Sequence, residues 1–402
     1  MTTQVPAGAG PLTGIRVCDL TFFQAGPFCS MMLADMGAEV IKVEQPGVGE
    51  PGRSVDSVLI NGEPAYFFAY NRNKKSITLN LREPAAREVL DRLVLASDVV
   101  LTNQRPAAVK KLGFDYERLS RLKPDLIYCA IAAFSHTGKA ANKPGLDPII
   151  QGVAGLMSLT GEAGGEPMLS GYAVSDTAAA LHAYQGILLA LLARERWGIG
   201  QKVEVVMVDA SLTMLQGRDQ MYFGTGVAPK PSGNANRHTA PSEPFRTQDG
   251  WINVIVMDDQ RFVQFCGAIE MPELASDPHF AKNEARLANR AELAKILQER
   301  FLGAPSSVWL ERLEAADVVC GPINDLGQIL SDPLIREREM VVEVEHPKAG
   351  PIKVLGVPVK LSATPGQVRT PPPLLGEHTD EVLASLGYRN DEIESLRRGG
   401  VL

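Results

Sequence analysis

Along the first half of the chain, short apolar runs alternate with segments of helical spacing. Ile15–Leu20 (IRVCDL) reads as a strand, Pro27–Gly37 as a helix with proline in its first turn, and Glu39–Glu44 (EVIKVE) as a second strand. Strand, tight loop, helix and strand in such a short span form a βαβ unit, which joins parallel strands. In 72–82 (RNKKSITLNLR) a basic turn leads into an alternating strand with Ile77, Leu79 and Leu81 on one face. Glu83–Asp98 reads as an amphipathic helix, Val99–Asn103 as a strand, and a further helix runs through Lys110 and Lys111. The continuous apolar run in 122–134 predicts a central strand buried on both faces. This alternation predicts an α/β, doubly wound parallel sheet.

The longest apolar helix is expected over Thr177–Arg196, with Asp176 at the N-cap and Gly198 and Gly200 as the stop. On capping chemistry alone Asp176 serves backbone donors. The alternative is a carboxylate kept ionised by the helix dipole and available as a nucleophile. A strand in 202–208 and a helix from Asp209 follow. Residues 227–245 form a Pro/Asn/Ser-rich linker, and 246–327 read as a smaller α+β unit with a strand pair turning at Asp249-Gly250. Residues 340–373 are extended and Pro-rich, and 374–398 make two capped helices.

Composition narrows the partners. The 402 residues are 45% hydrophobic and 22% charged, ordinary for a globular chain with more than one domain. A net charge of −7 and a pI near 5.5 argue against nucleic acid or a membrane surface as partner. An anionic ligand must then be caught locally, by Lys74, Lys75, Arg82, Arg105, Lys110 and Lys111, read as lying in loops and helix starts near the strand ends. Five scattered cysteines without a CxxC predict reduced thiols and a cytoplasmic setting. The N-terminal stretch lacks the basic and apolar regions of a signal peptide, and polar breaks in every long apolar run predict no membrane span.

The common catalytic signatures are missing. There is no GxSxG, GxxxxGK[ST] or HExxH and no metal-ligand spacing, so no metal is expected. The loop Phe23–Pro27 feeds a helix N-terminus suited to an anion, but it is not GxGxxG. Glu44 stands where a ribose-binding acid could stand. His182 reads as a packed histidine and His378 as a helix-start residue.

Several segments, in order, resemble the class III coenzyme A transferases, the family of formyl-CoA transferase and the carnitine CoA-transferases. They are 11–44 (PLTGIRVCDL…QAGPFCSMMLADMGAEVIKVE), 71–81 (NRNKKSITLNL), 146–161 (LDPIIQGVAGLMSLTG), 175–210, 233–250 (GNANRHTAPSEPFRTQDG) and 373–383 (PLLGEHTDEVL). The resemblance spans nearly the whole chain.

That resemblance implies an enzyme moving coenzyme A from an acyl-CoA donor to a free carboxylic acid. Asp176 matches the nucleophile, which forms an aspartyl–acyl anhydride and then an aspartyl-CoA thioester. Gln24, beside Ala25, matches a residue near the reacting carbonyl. Leu79, Arg82, Asn103, Gln104, Arg105 and Lys111 match CoA contacts, with Lys143 and Asp147 in the later loop as further candidates. Gln45 replaces a basic contact of formyl-CoA transferase, and the glycine-run loop of that enzyme is absent from 227–245. Succinyl-CoA with a small dicarboxylate is therefore the expected pairing, with Arg237 and His238 as possible carboxylate contacts.

The family architecture implies an interlocked, ring-like homodimer. Each chain would hold a large Rossmann-like domain (1–226 and 328–402) and a small α+β domain (227–327). No cofactor is expected beyond the coenzyme A of the substrates. Two alternatives stand beside this reading: an acyl-CoA racemase or isomerase, whose partner histidine is replaced by Leu146, and, more remotely, an NAD-dependent dehydrogenase.

Overall fold

The computed structural model describes residues 8–55 and 58–402; the extreme N-terminus read above for a leader lies partly outside them. Six parallel strands form the central sheet: β1 (Arg16–Leu20), β2 (Glu39–Glu44), β3 (Lys74–Thr78), β4 (Val99–Thr102), β5 (Ile127–Ala132) and β6 (Gln201–Val206). Their spatial order is β3-β2-β1-β4-β5-β6, the order of doubly wound, Rossmann-like sheets. The direction of winding reverses between β1 and β4. The connections after these two strands leave the sheet on opposite sides, which opens a crevice at their C-terminal ends.

Residues adjacent along a strand point to opposite faces, so each strand feeds two cores. On one face Val17, Val40, Leu101 and Ile127 pack with α1 (Ala25–Asp35) and the long α7 (Val174–Trp197). On the other, Cys18, Ile41, Val100 and Tyr128 pack with Val89 and Leu93 of α3 (Ala86–Leu95). The C-terminal helices Thr379–Ser385 and Asn390–Arg398 add Val382, Leu383 and Ile393 to that second core. Between these lie α2 (Ala65–Tyr70), α4 (Pro106–Leu112), α5 (Tyr116–Leu122), α6 (Asp147–Val153) and α8 (Met207–Thr213).

β3 is shorter than its alternation suggested. The Leu79 amide still donates to the Glu44 carbonyl at 2.8 Å, but the Asn80 amide turns to the Val401 carbonyl at 2.7 Å and leaves the ladder. Its basic start is not a loop either. Lys74 and Lys75 sit within β3, at the end of the sheet opposite the crevice.

The chain divides into two compact units. The first comprises residues up to Leu156 with Leu169–Gln220 and Arg336–Leu402; the second comprises Met157–Met168 and Met221–Ile335. The second unit has an antiparallel sheet of β7 (Ser242–Arg246), β8 (Trp251–Ile255) and β9 (Val319–Pro322) over an aromatic core that includes Phe245, Phe262, Phe265, Phe301 and Trp309.

α7 is the element most exposed to misreading. By length and composition alone it is apolar enough to cross a membrane, despite His182 and Gln185 and against the expectation from the polar breaks. One face, with Ala178, Ala179, Ala183, Ile187 and Ala190, packs in the sheet core, so its small side chains serve close approach of helix and sheet. Leu101→Ala removes a fully buried side chain from β4 between the two layers; it should cost about 2–5 kcal/mol, read as a lower urea midpoint with an unchanged slope.

Candidate active site

A cavity of about 430 Å³ opens at the switch point of the sheet. Its walls come from the loop after β1 (Phe22, Phe23, Gln24), the loop after β4 (Asn103, Gln104, Arg105), the end of β5, and Lys143 and Leu146 before α6. Asp176 from α7 and Met207 from α8 complete it. Residues far apart in sequence thus meet because parallel strands place all their C-terminal ends on one edge.

Asp176 is not the N-cap. α7 begins at Val174, and Asp176 is its third residue. The reason is Asp147, the first residue of α6: its Oδ1 accepts the amides of Ser175 at 2.7 Å and Asp176 at 3.2 Å. With capping done from a neighbouring helix, α7 extends further toward its N-terminus, and Asp176 keeps its own carboxylate for the cavity. Nor is that carboxylate simply kept ionised by the dipole. Burial foremost, and then the negative charge of Asp147, push its pKa up to about 7.

The β1–α1 loop is held from below by buried charge. Asp19 accepts hydrogen bonds from Ser30 at 2.6 Å and from the Thr21 amide at 3.0 Å, and it pairs with Lys74 at 3.3 Å. Burial would raise Asp19, but Lys74, Lys42 and the two hydroxyls hold it below the usual carboxylate range. Lys42 donates to the Thr21 carbonyl at 2.9 Å and faces Glu50 at 3.6 Å. Glu50 accepts the Phe23 amide at 2.9 Å. Phe23 stands at φ 62°, a left-handed conformation that a bulky residue keeps only when its surroundings enforce it. Gly26 closes the turn: a Cβ there would lie 2.4 Å from the Thr21 Cβ.

Asn103 clasps this loop from the side, accepting the Phe22 amide at 3.1 Å and donating to the Phe22 carbonyl at 2.7 Å. Gln104 donates to the Leu20 carbonyl at 3.1 Å. Both therefore line the cavity while their amides support its wall.

The remaining predicted residues separate into two groups. Gln24, Ala25, Asn103, Gln104, Arg105, Lys143 and Asp176 line the 430 Å³ cavity. An adjoining cavity of about 210 Å³ holds Leu79, Arg82 and Gln45 and shares Gln104 with the first. A third of about 550 Å³ holds Lys111 and Arg87 and shares Arg82 with the second. Arg82, Arg105, Lys111 and Lys143 are exposed cations along this edge, with Lys143 also 4.2 Å above the Phe134 ring. Asp147 lines none of the three and is buried beneath α7. Lys74 and Lys75 leave the predicted cationic cluster altogether: Lys74 is spent on Asp19, and Lys75 on Glu39 and Glu381.

Tyr66 and Tyr70 were not anticipated. They lie one turn apart on α2, with ring centroids 5.3 Å apart. Burial foremost raises both phenols, and the charge of Asp176 adds to the shift of each. The only sequence signal was the i, i+4 pair in AYFFAY.

Two alternative chemistries lose their residues. Glu44 has no oxygen left for a ribose: Arg53 holds it bidentately at 2.7 and 2.8 Å, and Ser76 and the Glu50 amide take the rest. Leu146, 64% exposed on the same cavity as Asp176, offers no second base for proton exchange. His182 is half-buried, with Nδ1 2.8 Å from the Ala178 carbonyl, and His378 receives the Ser76 amide at 3.3 Å just before the helix at Thr379.

Residues 12–379 match the family described as CoA-transferase family III. A succinyl-CoA:glutarate CoA-transferase of Mus musculus is 36% identical over 393 residues, covering 98% of this chain and 90% of that protein. A succinate–glutarate CoA-transferase of Agrobacterium fabrum is 36% identical over 390 residues, covering 96% and 98%. Among solved structures, a CAIB/BAIF family protein from Brucella suis superposes with a TM-score of 0.88 at 35% identity, covering 94% of this chain and all of that one.

The raised pKa of Asp176 carries a stability consequence. A fold that prefers the neutral carboxyl gains from it fully below about pH 4 and loses that gain as pH rises through about 7. Asp176→Asn should therefore unfold at a higher temperature than wild type at pH 8. That advantage should shrink steadily between pH 7 and pH 4 in calorimetric scans.

Proposed function

Because the chain belongs to CoA-transferase family III, we propose that Asp176 is the nucleophile that carries the acyl group and then coenzyme A. The observation that carries this reading is a carboxylate without a capping duty, standing in the crevice opposite the N-terminus of α1. Its carboxylate oxygen attacks the thioester carbonyl carbon, the C–S bond breaks, and CoA leaves as the thiolate. The product is an aspartyl–acyl anhydride. The thiolate then attacks the aspartyl carbonyl of that anhydride and expels the donor acid, leaving an aspartyl-CoA thioester. An acceptor carboxylate attacks this thioester, and the returning thiolate takes the acceptor acyl group and frees Asp176.

Each addition puts charge on a carbonyl oxygen. The Gln24 side-chain amide and the free amides at the start of α1 are the donors available for it. Anhydrides hydrolyse, so the half-buried position of Asp176 suits the intermediate. A carboxylate whose pKa lies near 7 is also more nucleophilic than an ordinary one once ionised. Arg82, Arg105, Lys111 and Lys143 form the phosphate-facing edge for CoA, with Asn103 and Gln104 as its inner wall.

Succinyl-CoA as donor and a small dicarboxylic acid as acceptor fit the names of the relatives above. Arg237 and His238 belong to the second unit, where Arg237 donates to the Lys230 carbonyl. The exposed side of α7, with Leu181, Leu189, Leu192 and Trp197, supports a homodimer that covers it.

Intact-mass measurement after mixing with succinyl-CoA should show a CoA adduct on Asp176 that disappears when glutarate is added. Asp176→Ala should give no adduct and lose turnover by about 10⁴-fold or more, with thermal unfolding no lower than that of wild type at pH 5. Deuterium entering the acyl α-carbon from heavy water, without any adduct, would sink the transferase reading. Sedimentation should return twice the chain mass; a monomer at micromolar concentration would refute the dimer.

A further inference from the structure

A carboxylate in the first turn of a helix has a ready alternative to chemistry: folding back onto the unpaired amides of that turn. On α7 those amides are already taken. Asp147 Oδ1 accepts Ser175 N at 2.7 Å and Asp176 N at 3.2 Å, and its Oδ2 accepts Gln151 Nε2 at 2.6 Å. Gln151 in turn accepts the amide and hydroxyl of Ser170 through Oε1, at 3.0 and 3.1 Å. A buried carboxylate on α6 thus joins the start of α7 to the chain segment that leads into it.

We infer that Asp147 is a positioning residue for Asp176: it occupies the helix-terminal amides so that the Asp176 carboxylate stays unpaired and turned to the cavity. This rests on the reading of Asp176 as nucleophile given above. A second effect follows from the same contact. Two carboxylates meet at one helix end, and after burial the negative charge of Asp147 adds to the rise in the pKa of Asp176.

The other groups around Asp176 do not account for this. Tyr66 and Tyr70 on α2 are neutral acids, and Arg105 and Lys143 on the cavity wall are exposed and of the opposite charge. From the elements packed on α7, Cys29 and Asp35 of α1 act on Tyr184, more than two turns along. Asp209 of α8 and Lys202 and Glu204 of β6 act on His136. On β5, Cys129 acts on Cys29 and Tyr128.

The test uses the full chain with Asp147→Asn, which keeps an acceptor for the amides and removes the charge, and Asp147→Ala, which removes both. The rate of CoA-adduct formation from succinyl-CoA is followed by rapid quench from pH 5 to 9 and normalised to the fraction that can be labelled. The midpoint of the pH profile should fall by about one unit in both variants, and the limiting rate should fall severalfold, with KM for succinyl-CoA changed less than about threefold. A profile with the wild-type midpoint, losing only the unfolded fraction, overturns the proposal, as does failure of both variants to fold. If wild type itself forms no adduct at Asp176, the nucleophile reading fails first, and that is seen before any variant is compared.

Discussion

Six charges share the space beneath the loop that follows β1. Lys42, Lys74 and Arg53 face Asp19, Glu44 and Glu50, three of each sign, and all but Arg53 are almost fully buried. Any one of them alone in that interior would be costly, so the set stands only complete. Its free hydrogen-bonding capacity is directed upward, through Glu50 to the Phe23 amide and through Lys42 to the Thr21 carbonyl. The strained turn that leads into α1 therefore rests on a rigid ionic floor. Removal of one member leaves its partner buried and unpaired, and the loop loses the contact that holds φ of Phe23 positive.

On that floor the sheet does the rest. Reversal of strand order between β1 and β4 brings two loops to one crevice, and the loop after β4 spends its polar side chains on the backbone around the loop after β1. Asn103 and Gln104 bind the main chain at Phe22 and Leu20, which fixes the width of the opening. Among the described residues, no side-chain partner holds the rim cations Arg82, Arg105 and Lys111. On a chain of net charge −7 they are the places where an anion with several phosphates gains most.

The long helix divides its labour by face and by end. Alanines let it lie close to the sheet, Leu181, Leu189 and Leu192 look outward, and its first turn presents one carboxylate to the crevice while another, from α6, attends to the helix amides. The cost of that arrangement is a half-buried acid with a pKa near 7, which weakens the fold above neutral pH. The property that burdens stability is the one an acyl-accepting carboxylate needs.

Much of this could be read from the chain alone. Strand and helix types followed from apolar period, and β5 lies inside the apolar run of 122–134, because strands buried on both faces are continuous apolar runs. The family followed from ordered motifs, and with it Asp176. What the sequence could not show was which polar groups are already spoken for. Lys74 and Lys75 look like ligand-binding cations in RNKKS, yet their partners, Asp19, Glu39 and Glu381, lie up to about 300 positions away. Asp176 looks like a cap because its own helix begins there; only the packing of α6 on α7 shows that Asp147 takes that duty. Local propensity and period are properties of neighbours along the chain, whereas the charge state and availability of a side chain depend on neighbours in space, and those are set by the tertiary fold.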